Sequence, residues 1–244
     1  MCRLLPLALL LFVCPAAVAA EVDDFVKDVL RAAAKDTATL KKQSVSVVKS
    51  SGTITVDGEK KPSTRTVQAV WPAQTLVHFE FGNDGEKTSV SLGVVNDRGW
   101  RKQSGTPSTD LTLEAVNDCR QGTYVYWMLT LLPLLESGNK IVFTPGVKVN
   151  GEPMTSITVS RRGWPDVTLS FDPATSLLRK LACKTRENGV LKLQEIVMSD
   201  HKDVDGIKLP HAAQLLIDGK EMFAWDKFDY VFPEKLDRAV FDRP

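Results

Sequence analysis

The sequence is poor in the side chains that most often carry chemistry. Its 244 residues include only three histidines and four cysteines. None of the motifs His-Glu-x-x-His, Cys-x-x-Cys or Gly-x-Ser-x-Gly occurs, which removes the common zinc, redox and serine-hydrolase signatures. An excess of one charge is missing too, since 31 Lys plus Arg oppose 30 Asp plus Glu. A protein that neutralises a phosphate backbone needs a basic surplus, so nucleic acid is not an expected partner. What remains, 43% hydrophobic and 25% charged, is ordinary globular composition.

Two stretches imitate ligand sites and fail on detail. Gly82-Asn83-Asp84-Gly85-Glu86-Lys87-Thr88 resembles a phosphate loop, but its lysine does not follow a glycine after the required four-residue gap, so a polar hairpin turn is expected. His201-Lys202-Asp203-Val204-Asp205-Gly206 imitates a calcium loop with histidine in place of the first carboxylate and Ala212 in place of the closing glutamate. Neither a metal nor a cofactor is expected.

The N-terminus is built for targeting. Arg3 precedes the apolar run Leu4 to Val13, and small residues at Ala17-Val18-Ala19 or Val18-Ala19-Ala20 come before the acidic Glu21, Asp23 and Asp24. This pattern predicts a cleaved secretory signal peptide over residues 1–20, and the run is much shorter than the ~20 residues that span a bilayer. A lipoprotein signal at Cys14 is the rival, disfavoured because Val13 stands where a small residue is wanted. Cleavage after Ala20 leaves residues 21–244 as one domain with balanced charge. Cys119 and Cys183 then remain. A single bridge between them is possible in an oxidising compartment, and the sequence does not decide it.

Periodicity organises the rest. Val22, Phe25, Val26, Val29, Leu30, Ala33 and Leu40 share a helical face over residues 22 to 42. Alternation of period two follows at 45–47, 67–71, 77–81 and 90–94, and resumes after Asn139 at 141–149, 157–159, 167–171 and 207–217. Between these regions, about Thr112 to Ser137, a second helical stretch ends in the apolar run Tyr124 to Leu135, which Pro133 should kink or restart. Asp57-Gly58, Asp84-Gly85, Asn150-Gly151, Asn188-Gly189, Asp205-Gly206 and Asp218-Gly219 suit the positive φ angles of tight hairpins. About ten strands, many antiparallel, and two main helices make one α+β domain.

Two phrases in the C-terminal half carry a resemblance. Leu169-Ser170-Phe171-Asp172-Pro173-Ala174-Thr175-Ser176-Leu177-Leu178-Arg179-Lys180 is similar to the strand, Asp-Pro-x-Thr turn and returning strand of the LolA-like family of periplasmic lipoprotein-sorting and lipid-carrier proteins. Val204-Asp205-Gly206-Ile207-Lys208-Leu209-Pro210 resembles that family's Asp-Gly-x-x-x-Pro lead into a late strand. The resemblance implies a strongly curved antiparallel sheet forming an incomplete β-barrel, with helices over its concave apolar side. It further implies a periplasmic carrier or chaperone, without catalysis, that shelters the acyl chains of lipid or lipoprotein. Membrane-bound donor and receptor proteins would be its partners.

Strand parity and the central helix supply the cavity candidates: Val67, Trp71, Phe79, Phe81, Val90 and Leu92, with Trp127, Met128, Leu131 and Leu135 as a lid. Parity alone does not separate a pocket wall from ordinary core. Two other functions stay open at this point: an envelope sensor on the same half-barrel, and a hydrolase in which His78, His201 or His211 meets an acid in a cleft.

Overall fold

The computed structural model describes residues 15–187 and 190–244; most of the predicted leader and the Asn188-Gly189 turn lie outside them. Helix α1 covers Pro15–Ala33 and α2 covers Thr37–Lys41. The expected helix over 22 to 42 is thus two. Asp36 divides them, its carboxylate accepting from the Thr39 backbone N–H at 2.7 Å as an N-cap. The first helix also starts earlier than its apolar face, because residues 16–20 are Ala-rich and Ala is the strongest helix former.

The strands are β1 (Val45–Val56), β2 (Glu59–Val70), β3 (Gln74–Phe81), β4 (Thr88–Val95), β5 (Arg98–Gln103) and β6 (Thr109–Asp110). After helix α3 (Leu113–Met128) come β7 (Lys140–Phe143), β8 (Lys148–Val149), β9 (Glu152–Pro153), β10 (Thr155–Ser160), β11 (Val167–Phe171) and β12 (Leu178–Glu187). The last three are β13 (Val190–Val204), β14 (Ile207–Ile217) and β15 (Lys220–Val231). Among the described residues fifteen strands replace the expected ten or so. Those added are mostly short, and the apparent strand 141–149 is two, split by a turn with Gly146 at φ 78°.

Thirteen strands form one sheet in the order β6-β5-β4-β3-β2-β1-β15-β14-β13-β12-β11-β10-β7. Every pairing is antiparallel. β6 and β7 are the free edges, so the sheet does not close. Turn chemistry drives this meander. Asp57-Gly58, Asn150-Gly151, Asp205-Gly206 and Asp218-Gly219 all have both residues at positive φ, the backbone of a type I′ hairpin. In Asp84-Gly85 only the glycine does. The Asp172-Pro173 turn forms as the sequence suggested, the Asp172 carboxylate accepting from Ala174 and Thr175 N–H at 2.9 Å each.

One face of the sheet and the helices share a core. Val29 of α1, Met128 of α3 and the sheet residues Ile157, Val159, Val167, Leu169, Phe171 and Leu181 are each fully buried. Phe25 of α1 packs on Phe171 and Phe143 with ring centroids 5.6 and 5.5 Å away. At the opposite face the short C-terminal 3-10 helix Arg238–Phe241 covers β3 and β4, and Trp100 donates its indole N–H to the Phe241 carbonyl at 2.9 Å. Gly93 makes room for that indole, since a Cβ there would lie 2.4 Å from the Trp100 ring.

Cys119 and Cys183 are both free thiols. Burial pushes the Cys183 thiol up to about 12 and raises that of Cys119, where Asp118 adds to the effect. Among the described residues no helix is long and apolar enough to cross a membrane.

Candidate functional site

The apolar run of 124–135 does not continue as one helix. α3 stops at Met128, where Leu129 N–H turns to the Tyr126 carbonyl in a tighter hydrogen-bond pattern. The Thr130 hydroxyl donates to the Trp127 carbonyl at 2.6 Å and accepts from Leu132 N–H at 3.2 Å, offering the backbone an alternative to the helix. Leu131 then adopts φ 58°, a left-handed conformation that costs a branched side chain about 1 kcal/mol. Pro133 sits in the first turn of a new 3-10 helix, Leu132–Leu135, as its fixed φ favours.

This turn roofs a cavity of about 130 Å³ against the concave sheet. Tyr126, Leu129, Thr130 and Leu131 form the roof, and Gln43 ties it down by donating to the Thr130 carbonyl at 3.2 Å. Strands β1, β2 and β13 to β15 supply the wall, including Val48, Val67, Ile196, Met198, Ala213 and Trp225. Ala33 and Leu40 close one side from α1 and α2. Such a volume is close to the ~150 Å³ that accepts a benzene and well under the ~300 Å³ where drug-sized pockets begin. A long acyl chain therefore fits only if the roof moves.

Of the ten residues singled out from sequence, Val67, Trp71 and Leu131 line this cavity. Trp71 does so from the turn after β2 rather than from a strand, its indole donating to the Ser46 hydroxyl at 3.2 Å. Phe79, Phe81, Val90 and Leu92 lie outside the lining but on the same face. Register places Val77 and Leu92 in line with Val67, and Phe79 and Val90 in line with Arg65. They are half-buried and continue the concave face as an aromatic tract in which Phe79 packs on Phe223 and Phe81 at 5.2 and 5.4 Å. Trp127 and Met128 sit in the shared core, and Leu135 packs against it half-buried.

Several lining residues are not picked out by parity. Trp225, Phe228, Tyr230 and Phe232 belong to the last strand and the residue after it. Two residues separate Trp225 from Phe228, because the β1–β15 register shifts between Ser51 and Gly52. The interrupted alternation of aromatics at 223, 225, 228, 230 and 232 is the sequence mark of that bulge. Gly52 is needed where the strands converge, since a Cβ there would lie 2.0 Å from the Ala224 carbonyl oxygen.

Among the polar side chains of the lining are two cations, Arg65 and Lys208. Arg65 stands on the concave face with its guanidinium 4.1 Å from the Trp225 ring and 5.4 Å from that of Tyr126, and it donates to the Tyr126 hydroxyl at 3.3 Å. Among the described residues no Asp or Glu lines the cavity. His201 also lines it, and burial depresses its imidazole pKa, which favours the neutral ring. Tyr230 donates to the Pro210 carbonyl, and burial raises its hydroxyl pKa. His78 sits elsewhere, half-exposed, bonded to the Ser91 hydroxyl at 2.9 Å with Glu80 at 3.9 Å, and His211 is held by the Leu209 carbonyl at 3.1 Å. Among the described residues no cluster of three or more potential metal ligands occurs.

No protein-family model matches the sequence, and no curated protein matches it. Solved structures do match in fold. A LolA superfamily protein from Nitrosomonas europaea superimposes with a TM-score of 0.52 at 11% identity, over 86% of this chain and 97% of that one. A domain assigned to outer-membrane lipoprotein sorting from Vibrio parahaemolyticus gives 0.54 at 12% identity, over 92% and 97%. With its open antiparallel sheet, concave cavity and helical cover, the chain has a LolA-like fold.

Proposed function

We propose that this protein is a carrier that shelters acyl chains of lipid or lipoprotein beneath the 129–131 turn. The supporting observation is the apolar cavity between a rigid sheet and a roof that carries its own backbone strain at Leu131. Burying a chain there is worth roughly 0.8 kcal/mol per methylene, so cargo is held without a catalytic constellation. Strain in the roof lowers the cost of leaving the closed arrangement, which a carrier must do on loading and on release. The leader over residues 1–20 would deliver it to the periplasm, where a membrane-bound donor and receptor are the expected partners.

The test is saturable binding of a fluorescent fatty acid, together with native mass spectrometry of protein purified from its own cell envelope. A single acyl ligand per chain is expected. Leu131→Glu should weaken binding more than tenfold while the chain remains folded by circular dichroism. Absence of any acyl binding by the wild type would overturn the proposal.

A further inference from the structure

Arg65 and Trp225 line the cavity, and Ser50 and Ser63 stand beside them on the concave face, outside its lining. Ser50 pairs with Arg65 across β1 and β2, Ser63 lies two residues before Arg65 on the same face, and Trp225 pairs with Gly52 on the next strand. These positions are neighbours on the concave face. Each ends in a buried polar atom without a hydrogen-bond partner: Ser50 Oγ, Ser63 Oγ, Arg65 Nε and Trp225 Nε1. Exposure of the two serines and the tryptophan is only 5, 3 and 3%. All four groups can donate a hydrogen bond, and two of them, the guanidinium and the indole, can only donate.

Four unsatisfied donors on three adjacent strands are unusual, because buried polar groups in folded proteins nearly always find partners. Carboxylates do not supply them, since none among the described residues lines the cavity. Tyr126 supplies only its hydroxyl, to a different guanidinium nitrogen. The complementary group is one rich in acceptors and negative in charge. We infer that the Arg65 end of the cavity binds the anionic head of an acyl lipid, a carboxylate or phosphate whose oxygens accept from Arg65, Trp225, Ser50 and Ser63 while the chain runs into the apolar part. This rests on the acyl-carrier reading and adds a selectivity that apolar burial cannot provide. A methylene-lined wall alone favours the neutral ester, because the ionised acid loses its hydration there.

Competition against a fluorescent acyl probe at neutral pH, with palmitate, methyl palmitate and monopalmitoyl phosphate as competitors, tests it. Palmitate or the acyl phosphate should displace the probe at least about tenfold better than the methyl ester, and whichever is stronger assigns the head group. Arg65→Gln and Trp225→Phe should each bring the acid-to-ester ratio towards one. Ser63→Ala is the milder variant if either of these unfolds, with a severalfold loss of the ratio expected. Equal binding of acid and ester by the wild type overturns the anionic head while leaving the carrier reading intact. No binding of any of the three overturns both.

Discussion

Two sectors of the same sheet are buried to very different degrees. In β10 and β11 the inward residues Ile157, Val159, Val167, Leu169 and Phe171 are each fully covered, whereas along β3 and β4 most positions, Phe79, Phe81 and Val90 among them, are half-buried. Both sectors are apolar on the concave face. What differs is the cover: α1 places Phe25 on Phe171 and Phe143, while on β3 Phe79 packs on Phe223 of β15. One sector is the fold's anchor and the other keeps its apolar surface in reserve, with the cavity lying between them.

The largest expected effect measures this contrast directly. Phe171→Ala should destabilise the protein by about 3–5 kcal/mol in urea unfolding. Phe79→Ala should cost only about 1 kcal/mol, as a half-exposed site does. Equal losses would erase the distinction between anchor and reserve.

Next in size is the link between the helical cover and the sheet. Tyr126→Phe removes the acceptor for Arg65 and should lower stability by about 1 kcal/mol, because the bond is long and part-buried. Stopped-flow mixing with an acyl probe should show faster association at the same time. Unchanged association would mean that the Tyr126 contact does not restrain the roof.

The thiols report on the anchor sector by reactivity. Cys183 on β12 is 4% exposed, with its thiol held up to about 12 by burial, and Cys119 is only part-buried. In the cleaved chain at pH 8, Cys119 should react with a thiol reagent well before Cys183, and denaturant should release two thiols in total. No thiol released on denaturation would show a bridge.

The smallest effect is a pH slope. His201 has a pKa below its unfolded value, first because of burial. Its contribution to stability is therefore complete above pH ~6.5 and declines as the pH falls below that, when the unfolded chain takes up the proton first. His201→Gln should flatten unfolding free energy between pH 6.5 and 5. A slope unaltered by that substitution would assign the acid sensitivity to other groups.

Much of this fold can be read in the sequence because its turns are chemically explicit: four Asx-Gly pairs take the left-handed conformations they suit, and Pro133 opens a new short helix. The strand parity of Phe79, Val90 and Leu92 is equally readable, since they do share a face with Val67. Enclosure is not, because it depends on where α3 stops, and Thr130 ends that helix with a side-chain bond inside an uninterrupted apolar run. Arg65 is hidden for another reason. In Thr64-Arg65-Thr66-Val67 parity places Arg65 on the inward face with Val67, but nothing local shows what a cation would meet there, and its partner, the ring of Trp225, comes from the last strand. The bulge beside Gly52 likewise shifts the aromatic parity of β15, which hides the richest wall of the cavity.

Pairing of β1 with β15 joins the first strand of the sheet to its last. Contacts of such sequence separation form late and slow folding, because the loop they close must be ordered before they repay it. Arg65 and Trp225 meet only across this seam, so a chain emerging from its N-terminus has no complete cavity until its final strand arrives. Competence to take up cargo is thereby coupled to completion of the polypeptide, and a truncated or partly translocated chain would expose its apolar strands without offering a place for a ligand.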